Sequence, residues 1–408
     1  MKALVIIVEG LGAAMVGAYG SATTTTPAID RLASQSLVLD QCFLDSFDLP
    51  LQLRSYWTAM HANCLVPTSW CLWQALTDRG VDSQLITDSP EAASVAQQYD
   101  CPQVTLVEVP HTEEPATHAE DCSLMHVFAA AMEVLADPDT SGLIWIHARG
   151  LRHVWDAPIE LREAMTDPED PAPPTGVELP ELQIDRDTDP DWVVGWGQVA
   201  AAQVAVLDEA IDALQQAIAA RDDGEQWAWL LSSTGGIPLG EHGLVGRARR
   251  EGYAEEIAVP AIVRPSVALP IGFRRAELCQ LPDLPLTLLV AMGMDIEQTP
   301  GIWGRNMWQV GPPRMSTEWA PEMTLAWMSH DQHMWIRTPA WSLLRTGEAG
   351  ARMFVKPDDR WEVSDIATRR DDIVDQLLAL APQLRAAADN SARSELPPLD
   401  SALTSLQR

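Results

Sequence analysis

Short apolar runs separated by stretches with helical spacing constrain this chain most. The runs are ALVIIV at 3–8, LVLDQCF at 37–43, SQLIT at 83–87, VTLVEV at 104–109, GLIWIH at 142–147, WAWLLSS at 227–233 and AVPAIVR at 258–264. Several are apolar at successive positions rather than alternate ones, so both faces of those strands need cover. A mainly parallel sheet sandwiched between helices provides that cover. Thr26 to Ser34, Ser69 to Arg79, Cys122 to Ala136, Val199 to Arg221 and Leu284 to Met292 carry apolar residues at helical spacing and supply the layers. The expected architecture is α/β, with a mainly parallel central sheet flanked by helices.

At 408 residues the chain has room for a second, smaller unit. Residues 1–311 are read as the α/β domain. Between Thr166 and Asp191 lie six prolines and nine acidic residues, which predict a surface excursion rather than core. From 312 to 390 the pattern changes to tight β runs (TLAWMSH, HMWIRTP, WSLLR, RMFVK, RWEV) and an amphipathic helix from Arg370 to Ala388, a small antiparallel sheet with a helix. Residues 391–408 are expected to fray.

No apolar run approaches the ~18 to 20 residues of a bilayer span. Glu9 interrupts the first apolar stretch, so that stretch reads as a buried strand rather than an export signal, and a cytoplasmic location is expected. A formal charge of −31 argues against nucleic acid and anionic membrane surfaces as partners. Six cysteines without a CxxC pair or Cys/His metal spacing read as free thiols.

Six segments, in order, resemble the sulfatases of the alkaline-phosphatase-like superfamily. They are VIIVEGLGAAMVGAYG with TPAIDRLASQS, HARGLRHVWDAP at 147–158, the helix QVAAAQVAVLDEAIDAL at 198–214 with its internal aspartate, LLSSTGGIPLGEHGLVGR at 230–247, EGYAEEIAVPAIVR with DLPLTLLVAMGM, and KPDDRWEVSDIA at 356–367. The resemblance covers about residues 1 to 380 and implies the sulfatase-like fold.

It also implies a site, and position by position this chain departs from it. The family holds a divalent cation, commonly calcium, with two acidic residues after strand one and an Asp with Asn or His after a later strand. Here Glu9 stands at the first position and Gly10 at the second, while Thr234 and Gly235 occupy the later pair. One carboxylate survives, so no metal cofactor is expected. The family nucleophile lies in Cys-x-Pro-x-Arg, or Ser in place of Cys. In DSFDLPLQLRSYWTAM, anchoring on Thr58 puts Leu49 there and anchoring on Arg54 puts Pro50 there; neither can attack sulfur or phosphorus. Ser46 and Ser55 are nearby hydroxyls that read as cap or turn residues. Asp88 and Pro90 fall where the family carries lysine and histidine, and the chain has only Lys2 and Lys356 to replace its site lysines. Losing these charges removes what is usually the largest catalytic contribution.

His147, Arg149, Arg152 and His153, with Arg54, remain as candidates for a residual anion-binding patch. The alternative is that the arginines pair with nearby acids such as Asp156. Glu9 needs a buried partner, for which Arg54 or a loop arginine is the candidate. Glu241 and His242, between Gly240 and Gly243, read as a structural turn. Sixteen tryptophans invite sugar stacking at Trp155, Trp192 or Trp196, or simply core packing. The combined expectation is a catalytically inactive, sulfatase-like binding or regulatory module. Its ligand would be a sulfated or phosphorylated small molecule or glycan, or a protein partner such as an active paralogue. The rival is a sulfuric- or phosphoric-ester hydrolase rebuilt around Glu9, Ser46, Arg54, His147 and His153.

Overall fold

The computed structural model describes residues 1–66, 68–247, 249–296, 302–309, 324–330, 333–347 and 350–406. In chain order the α/β part comprises β1 (Lys2–Gly10), α1 (Pro27–Ser34), β2 (Leu37–Phe43), α2 (Leu49–Thr58), α3 (Leu72–Thr77), β3 (Ser83–Thr87), α4 (Pro90–Gln98), β4 (Val104–Leu106), α5 (Met125–Ala136), β5 (Gly142–Ala148), α6 (Ile159–Glu163), β6 (Glu181–Gln183), α7 (Pro190–Ala219), β7 (Trp227–Gly236), β8 (Leu244–Gly246), α8 (Ala254–Ile257), β9 (Ala258–Val259), β10 (Ile262–Arg264), β11 (Phe273–Gln280) and α9 (Asp283–Ala291). Nine of these strands form one sheet in the order β11-β2-β10-β7-β1-β5-β3-β4, with β9 on β2. Its centre, β7-β1-β5-β3-β4, is parallel, whereas β10 runs antiparallel to both β2 and β7.

The doubly apolar strands do what their composition requires. In β1, Ala3, Val5 and Ile7 enter a core with Tyr56 and Trp57 of α2, Trp73 of α3 and Leu284 of α9. Leu4, Ile6 and Val8 enter the opposite core with Ile29 of α1, Phe128 of α5 and Leu207 of α7. Asp208, the internal aspartate of α7, accepts hydrogen bonds from Ala28 N and Ile29 N, both at 2.9 Å, and so satisfies two amides at the start of α1.

A second, antiparallel sheet runs β12 (Ala326–His330), β13 (His333–Arg337), β14 (Trp341–Thr346), β15 (Ala351–Val355). It has four strands, not the five runs expected. RWEV forms a turn, leaving Trp361 48% and Val363 76% exposed. The expected single helix is α10 (Asp371–Ala379) followed by α11 (Ala381–Asp389), joined at Leu380. The 311/312 boundary lies outside the described residues.

Through residue 406 the tail does not fray. Arg393 is buried and donates to Asp283 Oδ1 at 2.7 Å, Leu396 and Leu403 enter the core under the second sheet, and Trp341 Nε1 donates to the Ala402 carbonyl in α12 (Ser401–Thr404). A buried Asp283 held by Arg305 and Arg393 docks this segment, and its carboxyl sits at about 2 because the two arginines outweigh the effect of burial. The Pro-rich excursion is mostly irregular, as its composition predicts, but it contributes β6, which pairs with β8. It is also clamped by the buried Arg162, which donates to the carbonyls of Pro174 and Gly176.

Candidate functional site

Parallel strands leave the carboxyl ends of β7, β1, β5 and β3 side by side, the edge at which α/β proteins build their sites. Thr234 and Gly235 on β7, Glu9 and Gly10 on β1, the loop from Arg149 to His153 after β5, and Asp88 after β3 therefore gather there. Register does the fine placement: Ile7 lies opposite His147 on β5, which sets that imidazole beside Glu9.

His147 is fully buried and its Nε2 donates to Glu9 Oε1 at 3.0 Å. Glu9 thus takes its partner from a residue 138 positions away, not from Arg54, and His147 is committed to it rather than free for an anion. Arg149 is likewise engaged. Its backbone N donates to Asp88 Oδ1 at 2.8 Å and its Nε to Asp88 Oδ2 at 3.3 Å, so its acid is Asp88, not Asp156. Asp156 instead accepts from Ser123 N. Arg54, on α2, points one nitrogen at the carbonyls of His61, Ala62 and Cys64 and holds that loop. His153 is half-buried, and burial with the nearby Arg149 charge lowers its pKa.

Arg152 fills the middle of the cleft. Its Nη2 donates to the Gly236 carbonyl at 3.3 Å and lies 2.7 Å from where a Gly235 side chain would begin. Burial lowers its pKa, and the Glu9 and Glu256 charges oppose that shift. Gly10 has φ +89, and a Cβ there would sit 2.8 Å from Ile237 Cδ1, 2.9 Å from Leu151 Cβ and 3.0 Å from Arg152 N. Thr234 Oγ1 is buried without a hydrogen-bond partner among the described residues.

Leu49 and Pro50 form the first turn of α2. The family pattern offers a third anchor, its proline: with Pro50 in that place the nucleophile position falls on Asp48, which sequence reasoning passed over. Asp48 is the N-cap, its side chain accepting from Leu51 N at 3.3 Å. Ser46 Oγ accepts from Asp48 N, and Ser55 Oγ donates to Asp45 Oδ2 at 2.6 Å, so both hydroxyls serve the loop. Asp45 is buried; burial pushes its carboxyl up, and hydrogen bonds from Ser55 and Ala62 hold it to about 6. His61 stacks on Trp327 at 4.6 Å, donates Nε2 to the Trp327 carbonyl and accepts from Asn63 N, and burial lowers its pKa to about 3.

Similarity in three dimensions extends over nearly the whole chain. A phosphonate monoester hydrolase of Agrobacterium radiobacter superposes with a TM-score of 0.73 at 14% identity, covering 95% of this chain and 96% of that one. The fold is that of the sulfatases and their alkaline-phosphatase-like relatives. A protein solved with its substrate D-glucosamine-2-N,6-O-disulfate has the same sulfatase-like fold at a TM-score of 0.71 and 14% identity, covering 95% and 98% of the two chains. A 2-O GAG sulfatase follows at 0.68 and 14%, covering 95% and 92%. No protein-family model matches the sequence, and no curated protein sequence does. At this identity the likeness carries the sulfatase fold, and function must be argued from the site.

Among the trio of tryptophans read as candidate stacking platforms, Trp155 is fully buried and Trp196 packs on it at 6.1 Å; Trp192 is 53% exposed. His242 donates Nδ1 to Glu255 Oε1 at 2.6 Å and Nε2 to the Glu362 carbonyl at 3.0 Å, while Glu241 accepts from Leu239 N. This turn ties the α/β domain to the turn after β15. No helix among the described residues is long and apolar enough to cross a membrane.

Proposed function

We propose that this chain is a sulfatase-fold protein without sulfatase activity, acting as a binding or regulatory module. The observation that carries this reading is the Arg152 guanidinium beside Gly235. A cation site needs converging carboxylates, and here a partly buried cationic side chain stands beside the residues that would supply them. Glu9 is left with His147 and the nearby Arg152 charge. A carboxylate at Gly10 would meet Leu151, Ile237 and the Arg152 backbone. The residues present do not fit a calcium ion, and no catalytic step is derived through one. Among the described residues, no group of three or more His, Cys, Asp or Glu side chains converges as a metal site.

Nucleophilic chemistry is equally poorly served. Leu49 and Pro50 are inert, and Asp48 is a carboxylate engaged as a helix cap. The rival reading, an ester hydrolase rebuilt around Glu9, Ser46, Arg54, His147 and His153, has Ser46, Arg54 and His147 engaged in local hydrogen bonds, and Asp48 is a further carboxylate it could use.

Purified protein assayed on aryl sulfate, phosphate monoester and phosphodiester substrates, with and without calcium, tests the reading. Background rates are expected throughout, and calorimetry is expected to register no calcium binding. Turnover abolished by Glu9→Ala or Asp48→Asn would replace the reading with its rival.

A further inference from the structure

A cavity of about 350 Å3 opens where the antiparallel sheet meets the α/β domain. Tyr19 and Phe43 form its α/β wall, Trp335 and Arg337 of β13 its other wall, and Arg360 and Trp361, from the turn after β15, its rim. Glu9, Gly10, Arg152, Thr234 and Gly235 take no part in it, so it is separate from the cleft.

Its charges do not cancel. Three carboxylates line it, and each has a cation of its own: Asp40 accepts from Arg274 Nε at 2.7 Å, Glu362 lies 3.1 Å from Lys356 Nζ, and Glu255 takes His242. Two further guanidiniums, Arg337 and Arg360, hydrogen-bond only to neutral acceptors among the described residues, although the Glu362 charge, already paired with Lys356, also acts on Arg337. Arg337 is 5% exposed and donates to the carbonyls of Thr338 and Trp341 and to Gln41 Oε1. Arg360 donates to the Tyr19 carbonyl at 2.7 Å and stacks on Trp361 at 4.9 Å. Arg337 is buried, and desolvating a guanidinium that shares its nearest carboxylate with a lysine is costly, whereas Arg360 is exposed and available to a ligand. In a chain with 58 acidic residues against 27 basic ones, two guanidiniums that line one cavity in excess of its three carboxylate–cation pairs leave a place for an anion. The half-exposed indole of Trp361 beside Arg360 leaves an apolar face at the mouth for something to cover.

We propose that this cavity binds a small organic anion consisting of a flat ring with one oxyanion group. The oxyanion takes charge-assisted hydrogen bonds from Arg337 and Arg360, and the ring packs on Trp361, Tyr19 and Phe43. The volume lies at the lower end of the range of about 300–1,000 Å3 typical of ligand pockets, which suits one or two rings and excludes a glycan chain. This inference is independent of whether the cleft is inactive.

Calorimetric titration of the full chain with phenylacetate, phenyl sulfate and phenyl phosphate tests it and separates carboxylate, sulfate and phosphate as the head group. Binding of at least one of the three is expected, with phenylacetamide and inorganic sulfate weaker by roughly tenfold or more, the value of one charge-assisted hydrogen bond. Arg360→Met and Trp361→Ala, both at exposed positions where folding is not at stake, should each weaken binding by a similar factor. Arg149→Ala, in the cleft, should leave it unchanged. No binding of any of the three arenes at millimolar concentration overturns the proposal. Equal binding of phenylacetamide also overturns it, as does loss of binding in Arg149→Ala with Arg360→Met unaffected.

Discussion

The cleft at the ends of β1 and β7 and the cavity at the seam with the antiparallel sheet solve opposite electrostatic problems. In the cleft the charges are closed on one another or on backbone: Glu9 with His147, Asp88 with Arg149, Arg152 on the Gly236 carbonyl. At the seam each acid has a cation of its own, while two further guanidiniums hydrogen-bond only to neutral groups among the described residues. A fold can therefore keep its strands and register while the place where charge is left unbalanced moves from one edge to another. Strand packing depends on the apolar faces, which are intact; site chemistry depends on a few polar positions that contribute little to those faces.

Returning a carboxylate to the cleft should have the largest effect. Gly10→Asp places a Cβ at φ +89 within 3.0 Å of the Arg152 backbone N, contacts that side-chain rotation cannot relieve. Combining left-handed strain with overpacking, the expected loss of stability is about 3–5 kcal/mol, read as a lowered urea midpoint. Calcium should not restore it. A calcium-dependent rise in melting temperature in this variant would mean that the cleft still accommodates a cation and that its charges are not closed.

Asp45 lies in the loop before α2. Its buried carboxyl titrates at about 6, against an ordinary value near 3.8. The unfolded chain therefore loses this proton first. Between about pH 4 and about pH 6 the native state holds more protons, so stability falls as pH rises through that window and levels off above it. The contribution is about 3 kcal/mol. Urea denaturation of Asp45→Asn beside the parent across pH 4 to 7 should show the parent losing ground to the variant as pH rises; parallel curves would show that burial does not govern this group.

Much of the fold was legible because apolar runs report burial directly. β3 spans the residues expected, β5 extends its expected run by one residue and β7 by three. FRRAELCQ does not read as a buried strand because three of its eight residues are charged, yet in β11 Arg275 and Glu277 are buried as a pair at 3.3 Å, which no periodicity reveals. AVPAIVR contains an apolar run but was not legible as two short antiparallel strands, since direction is set by the partners. In the cleft, the absence of an acidic side chain at Gly10, Thr234 and Gly235 is plain from residue types alone. The Glu9 to His147 bond could not, because it depends on the parallel register of β1 and β5.

Glu9→Gln sharpens the cleft side further. The amide can still accept from His147, but Arg152 loses the anion that offsets its burial, so a loss of about 1–2 kcal/mol is expected in denaturant unfolding. A neutral result would show that Arg152 is satisfied by carbonyls alone, which would bring the cleft closer to the seam in character.

The smallest effect should come from His242, whose two ring nitrogens both face acceptors, an arrangement that favours the imidazolium. Burial pulls its pKa down, but the Glu255 carboxylate and the Glu362 carbonyl raise it more, so the net shift is upward. A histidine with a raised folded pKa contributes its stability in full below the unfolded value near 6.5 and loses it as pH climbs through the higher folded value. The contribution should stay below about 1 kcal/mol because the pair is only half-buried. Proton NMR titration of the imidazole is the sensitive readout, and Glu255→Gln should return the midpoint toward 6.5. Because Glu255 also lines the seam cavity, deprotonating His242 leaves that acid uncompensated beside Arg337 and Arg360. The seam should then hold an anion less well above the His242 midpoint.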